Sequence, residues 1–313
     1  MGERVGAVLA AGRGRRMGPL GERWPKVLLP LGPRPLLHHH LETLRGLGVR
    51  RVLVAVGHRA ERVEEAAEAL RGPGLEVSCL RVEPLGTAYA LAQLAPLLDE
   101  DVVVVVLGDY AFSASGLARM VERVEREPGS AAIAVRRDLP EALAQGSEVE
   151  VGPEGRAVRV VEKPVRPGSG LRGCGVYALR AEALDAVRET PRTALRDEYE
   201  LTVGLQRFVE LGGTLFAEEV VDWDANFTGP SDVLRANLEW LERQGLPWAV
   251  GEGARVAEGS RLERAVVGDG AEVRLPTELR RAVVLPWARV RGGSVLEDAL
   301  VAGDDLVVPC GPG

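Results

Sequence analysis

Val102–Leu107 is an unbroken run of five valines and a leucine, closed by Gly108 and Asp109. Alternate residues of a strand face opposite ways, so this run leaves no face for water; it reads as a strand buried on both sides of a sheet. A sheet covered on both faces is typically built from parallel strands joined by helices. The preceding sequence fits that plan. Residues 4–10 read as a buried strand followed by a glycine-rich loop, 36–47 as a helix ended by Gly48, and 51–56 as a second buried strand. Residues 61–70 read as a polar-faced helix stopped by Gly72, Pro73 and Gly74; 76–82 read as a strand and 88–98 as a helix. The alternation predicts a doubly wound α/β domain that binds ligands at the carboxyl ends of its strands.

From Glu148 the pattern changes. Residues 148–151 and 157–161, separated by Gly152, Pro153, Glu154 and Gly155, predict a β-hairpin. Residues 174–179 read as a strand and 181–188, 200–211 and 231–244 as helices, the last with Ser231 as N-cap. After Gly245, Leu246 and Pro247 comes a repeat of 17 residues, with units starting at Gly253, Gly270 and Trp287 and a partial fourth at Asp304. Equivalent positions hold Val256, Val273, Val290 and Val307, then Ser260, Thr277 and Ser294, then Leu262, Leu279 and Leu296. Apolar positions five or six residues apart predict short strands on successive faces of a hexapeptide-type β-helix. One coil cannot bury its inner face, so coils must stack. Trp287, at a position where the other units carry glycine, is expected to pack on the preceding domain or on a second subunit.

Composition excludes several classes. The 313 residues carry 39 basic and 46 acidic side chains, a net charge of −7, which speaks against a general nucleic-acid binder. Three cysteines, Cys79, Cys174 and Cys310, without a C-x-x-C, exclude a disulfide framework or a cysteine zinc site and fit a reducing cytoplasm. The longest apolar run, six residues, falls far short of the ~20 needed for a membrane span. Residues 5–11 are read as a buried strand rather than a signal peptide.

The loop after the first strand is the most informative segment: Leu9, Ala10, Ala11, Gly12, Arg13, Gly14, Arg15, Arg16 and Met17, then Pro25 and Lys26. A glycine-rich turn after a buried strand lets backbone N–H groups approach phosphate oxygens. Arg16 and Lys26 add positive charge, the arrangement needed to hold a triphosphate and neutralise a leaving pyrophosphate. A dinucleotide fingerprint would need a third glycine where Met17 stands, and no Walker A string occurs.

These residues resemble the signature L-x-x-G-x-G-x-R-[LM] and P-K of the sugar-1-phosphate nucleotidylyltransferases. The resemblance continues in order through Glu83, Pro84, Leu85, Gly86, Thr87 and Ala88 (base loop), Leu107, Gly108 and Asp109 (metal-binding strand end), and Glu162, Lys163 and Pro164 (sugar-phosphate motif). Gly175, Val176 and Tyr177 match the G-[IV]-Y strand, and residues 226–237, NFTGPSDVLRAN, resemble the D-x-G-T-P-x-D-x-x-x-A-N segment. The family implies a Rossmann-like mixed-sheet catalytic domain over 1–247 and a short left-handed parallel β-helix over 248–313. It implies Arg16, Lys26 and Lys163 as catalytic cations, and Leu9, Ala11, Gly12, Gly14, Gly86 and Thr87 as nucleotide contacts. Gly146, Glu162 and Gly175 are implied at the sugar, and Asp109 and Asn226 as ligands of Mg2+, which takes hard oxygen donors. Asp224, two residues from Asn226 on a strand, is a candidate auxiliary ligand. The partners implied are a nucleoside triphosphate and a sugar 1-phosphate, with a homo-oligomer expected.

Three departures stand out. Gly173 occupies the place of a frequent asparagine, Val203 ends what is often E-Y-x-L-T-D, and no glutamine precedes the base loop. The string from Glu83 to Ala88 looks like mannose-1-phosphate guanylyltransferases, while glucose-1-phosphate uridylyl- and thymidylyltransferases are the other close type. Two further readings stay open: a non-catalytic NDP-sugar-binding regulator, and a bifunctional enzyme with an acyltransferase tail. No histidine follows His58, which disfavours the latter. His38, His39 and His40 are read as a helix face, not a metal site.

Overall fold

The computed structural model describes residues 3–193 and 197–311. The chain divides into two compact units, one formed by the segment up to Gly12 with His40–Asp224, the other by Arg13–His39 with the segment from Ala225 onward.

The first unit is built on a nine-stranded mixed sheet. Its strands are β1 (Arg4–Ala10), β2 (Arg51–Val56), β3 (Glu76–Arg81), β4 (Val102–Leu107), β5 (Ser130–Arg137), β6 (Ser147–Val151), β7 (Ala157–Glu162), β8 (Leu171–Leu179) and β9 (Thr214–Glu219). The order is β7-β6-β8-β4-β1-β2-β3, with β5 pairing β8 and β9. The β3-β2-β1-β4 half is parallel; β8 runs antiparallel to β4, β5 and β6. Val102 to Val106 are each at most 1% exposed, as a strand without a polar face demands. The arginines and glutamates between Arg119 and Glu127 read as a solvated helix face, and the helix Leu117–Arg126 bears this out. Leu117, Met120, Val121 and Val124 are buried at helical spacing, and the charges take the opposite face. In the helix Leu36–Gly46, His40 is 1% exposed with its ring stacked on Phe112, so it serves the core.

Sequence reasoning overlooked β5 and β9. Both are short of the bulky β-branched residues that mark strands; β5 reads SAAIAVRR, and its small residues fit a position covered on both faces. It also began β8 three residues late, because a register shift between Gly173 and Tyr177 interrupts the pairing with β5.

In the second unit the 17-residue repeat becomes a ladder of parallel strands in which each residue pairs with the residue 17 later. Arg255 pairs Glu272 and Glu272 pairs Arg289; Arg261 pairs Glu278 and Glu278 pairs Val295. The ladder begins a step before the first recognised unit, since Trp248–Val250 pairs Ala265–Val267. Val266, Val283 and Leu300 stack inward at 0% exposure. The partial fourth unit departs from the pattern. Leu306–Pro309 turns back antiparallel onto Val295–Gly303, so the last strand of the ladder is covered by the chain itself. Trp287 lies over Gly270 of the preceding unit and stays 42% exposed.

The ladder packs on the helix Pro230–Gln244, whose strands Glu278–Val284 and Val295–Gly303 meet it directly. That helix starts differently from expectation. Gly229 is the N-cap, Pro230 opens the first turn, and the Asp232 carboxylate accepts the Gly229 N–H at 2.8 Å. Proline is pre-organised for the first helical position, where its missing N–H costs nothing, so the helix starts at Pro230 and the cap falls on Gly229. The segment 13–39 joins the same unit: Asn237 donates to the Pro30 carbonyl at 2.8 Å, the Pro33 carbonyl accepts the Asp269 N–H at 2.9 Å, and Arg23 pairs with Asp305. Ending the chain before Gly253 uncovers the apolar side of the helix. Light scattering on the two lengths should show a changed oligomer or lost solubility; an unchanged soluble species in both would remove any assembly role for the tail.

Candidate active site

In the parallel half of the sheet the chain winds from β1 to β2 and β3 in one direction and then returns to place β4 on the other side of β1. Their carboxyl ends therefore form a topological switch point, the place where open α/β sheets bind ligands. Leu9 pairs with Leu107 there, and the Gly108 N–H donates to the Leu9 carbonyl at 2.9 Å. This brings Leu9, buried Ala11 and exposed Gly12 to the strand end that carries half-buried Asp109.

The loop 83–88 is pinned by a segment more than 110 residues later. Tyr199 N–H donates to the Leu85 carbonyl at 2.9 Å, Ala88 N–H donates to the Tyr199 carbonyl at 2.8 Å, and Leu201 N–H donates to the Thr87 hydroxyl at 2.9 Å. Gly86 has φ 127° and faces the Tyr199 backbone so closely that a Cβ would lie 2.3 Å from its carbonyl oxygen, so only glycine fits. Thr202, next in that segment, donates its hydroxyl to Glu162 Oε2 at 3.1 Å. The one stretch thus holds both the 83–88 loop and Glu162. Its sequence signal, Glu198 to Thr202, is visible, but what it touches is not.

Gly146, Glu162, Lys163 and Gly175 come together around β6, β7 and β8. Glu162 pairs with Ser147, and the Lys163 N–H donates to the Gly146 carbonyl at 2.7 Å. Lys163 has φ 46°, a sparsely populated conformation for a residue with a Cβ. Gly175 opens onto the ring of buried Tyr110. At Gly173, in place of the frequent asparagine, a Cβ would lie 2.5 Å from Ser147 Oγ, so a larger residue there requires that hydroxyl to move.

Beside this wall lies a charge cluster that sequence reading missed. Arg172 on β8 faces Arg136 on β5 directly, a like-charge pair. Two carboxylates compensate. Arg172 donates to Asp138 Oδ2 at 2.8 Å and to Asp224 Oδ1 at 2.7 Å, and Arg136 donates to the same Asp224 oxygen at 3.1 Å. Burial pushes the Asp138 carboxyl up, but the Arg172 hydrogen bond and charge prevail and hold it below the usual range. Asp224, whose side chain is fully buried, therefore holds two guanidinium groups with one oxygen, while its second oxygen has no hydrogen-bond partner among the described residues.

The second unit carries Gly14, Arg16, Lys26 and Asn226. Gly14 adopts φ 61°, its carbonyl accepts the Met17 N–H at 2.8 Å, and its Cα faces the Lys26 side-chain methylenes. Met17 is buried and fixes the turn, while Arg16 is exposed beside it. Asn226 ends the strand Val221–Asn226 with a buried side-chain oxygen that has no hydrogen-bond partner among the described residues. Among the described residues no three His, Cys, Asp or Glu side chains cluster as a metal cage, and no helix is long and apolar enough to cross a membrane.

The family model of the MobA-like NTP transferase domain matches residues 6–197. The chain belongs to that family. Among its relatives this NTP transferase is 31% identical to the UTP–glucose-1-phosphate uridylyltransferase AglF of Haloferax volcanii, over 72% of the chain and 91% of the relative. It is 28% identical to the low-salt glycan biosynthesis nucleotidyltransferase Agl11 of the same organism, over 77% and 67%. It is also 31% identical to a glucose-1-phosphate thymidylyltransferase of Mycobacterium tuberculosis, over 66% and 71%. The fold of the NTP transferase matches a UDP-glucose pyrophosphorylase complexed with UDP-glucose, with TM-score 0.68 at 18% identity over 77% and 99% of the two chains.

Proposed function

We propose that this NTP transferase joins a sugar 1-phosphate to a nucleoside triphosphate, releasing pyrophosphate and an NDP-sugar. The observation that carries the reading is the wall of Gly146, Glu162 and Lys163, tied through Thr202 to the segment that pins the base loop. A shared anchor for acceptor and nucleotide elements is what a two-substrate transfer requires. The sugar phosphate oxygen attacks the α-phosphorus in line and pyrophosphate leaves. Lys163 holds the acceptor phosphate, Glu162 accepts sugar hydroxyls, and Arg16 and Lys26 neutralise charge moving toward the leaving group. Gly12 and Gly14 offer backbone N–H groups to the triphosphate, with Leu9, Ala11, Gly86 and Thr87 around the nucleoside and Gly175 beside the sugar.

Asp109 and Asn226 are the proposed protein ligands of Mg2+. The buried oxygen of Asn226, without a hydrogen-bond partner among the described residues, suits an ion that takes one or two protein oxygens and completes its shell with phosphate and water. When bound, it would stabilise charge on the phosphates. Asp224 is the weaker candidate, because two arginines occupy its other oxygen. The tail from 248 is proposed to be a left-handed β-helix with a structural role beside a catalytic domain spanning 1–247, and the 17-residue parallel register supports that reading.

A matrix of five nucleoside triphosphates against glucose, mannose and N-acetylglucosamine 1-phosphates, read by pyrophosphate release, tests the reaction and resolves the guanylyl and uridylyl or thymidylyl alternatives. EDTA should silence the preferred pair, and Asp109→Asn should raise the Mg2+ needed for half-maximal rate and lower kcat. Full activity in EDTA would remove the metal from the reaction; NDP-sugar binding without turnover would establish the regulatory reading instead.

A further inference from the structure

Glu148 is an anomaly of β6. It is a carboxylate in mid-strand, 2% exposed, between buried Ser147 and Val149. Its Oε1 accepts the backbone N–H groups of both Gly168 and Ser169, and the Ser169 hydroxyl also donates to the carboxylate. Burial pushes this carboxyl up, but the hydrogen bonds from Ser169 and Gly168 outweigh it and keep the acid ionised. The bound segment is the far end of the loop that begins at Lys163. That loop is held at its start by Lys163 N–H on the Gly146 carbonyl and at its end by the Asp138 N–H, which donates to the Gly170 carbonyl at 3.0 Å. Between these points its outer side is wet: Val165 is 96% exposed. Glu148 thus clamps the loop from within, two residues along the chain from the glycine that receives Lys163.

We propose that Glu148 is a positioning residue that holds the 163–170 loop closed and thereby keeps Lys163 in its left-handed conformation for the acceptor phosphate. An unclamped loop would let Lys163 relax to an ordinary backbone conformation and carry its ammonium away from the position set at Gly146. The inference rests on the proposed role of Lys163, and the experiment separates the two.

Full-length Glu148→Ala, Glu148→Asp, Glu148→Gln, Lys163→Ala and the Glu148→Ala/Lys163→Ala double variant are assayed with the fastest substrate pair of the matrix. Amide exchange is followed across the loop without substrate. Glu148→Ala should raise KM for the sugar 1-phosphate about tenfold and leave KM for the nucleotide within about twofold, the signature of a lost acceptor interaction. Glu148→Asp, one methylene short of the amides, should behave alike, and Glu148→Gln, which keeps the acceptor oxygen, should stay within about threefold of wild type. With Lys163 already alanine, Glu148→Ala should add less than about twofold, because coupled residues are not additive. Gly168 and Ser169 amides should exchange faster in Glu148→Ala. Unchanged acceptor KM and unchanged exchange, or equal rises in both KM values, overturn the clamp. An active Lys163→Ala overturns the role of Lys163 itself; an inactive one beside an unaltered Glu148→Ala overturns the clamp alone.

Discussion

Lys163→Ala and Arg16→Ala are each expected to lower kcat by about 10²–10³, equivalent to roughly 3–4 kcal/mol of charge stabilisation lost from the transition state. Neither change should unfold the protein. Arg16 is exposed, and the Lys163 backbone N–H that donates to the Gly146 carbonyl is retained in alanine. Steady-state kinetics beside circular dichroism on both variants decides the matter. Turnover within threefold of wild type for the pair would place the phosphates elsewhere.

The second large effect is on stability. Asp224→Ala leaves Arg172 and Arg136 facing each other with only Asp138 between them, and Arg172 has a side chain just 10% exposed. Uncompensated buried charge typically costs about 3–5 kcal/mol. Replacing both partners, Arg172→Met with Asp224→Ala, should restore part of that loss, because one charge of each sign is then removed and Arg136 keeps Asp138. Denaturant midpoints for the single and double variants measure it. A single-variant loss below about 1 kcal/mol would mean that water reaches the cluster and compensates it.

The parallel half of the sheet was legible because its code is local. Five consecutive valines admit one environment, and Gly108 and Asp109 mark where the strand stops. The tail was legible because a repeat reports its own register: Val256, Val273 and Val290 are equivalent in the sequence and adjacent in the ladder. What escaped was information held by partners far along the chain. Glu148 reads as a solvent-facing hairpin residue until the 163–170 loop folds over it. Asp224 looks like a spare metal ligand until Arg172 and Arg136 arrive from other strands. The turn back at Leu306 escaped for a related reason: Val307 fits the repeat by identity, but Leu306–Pro309 pairs antiparallel with Val295–Gly303, a choice of partner that the repeat itself does not encode.

The glycine- and arginine-rich segment 13–39 shares its compact unit with the chain from Ala225 onward. For anyone recombining relatives of this chain, the natural seam is therefore not the linker at Gly245. A graft cut there would part the tail from the helix it rests on and leave the Pro33 carbonyl without the Asp269 amide and Arg23 without Asp305. The exchangeable cassette is discontinuous: a short excursion near the amino terminus travels with a module two hundred residues away. Swaps that move both pieces together preserve their packing, and swaps that move either alone break it.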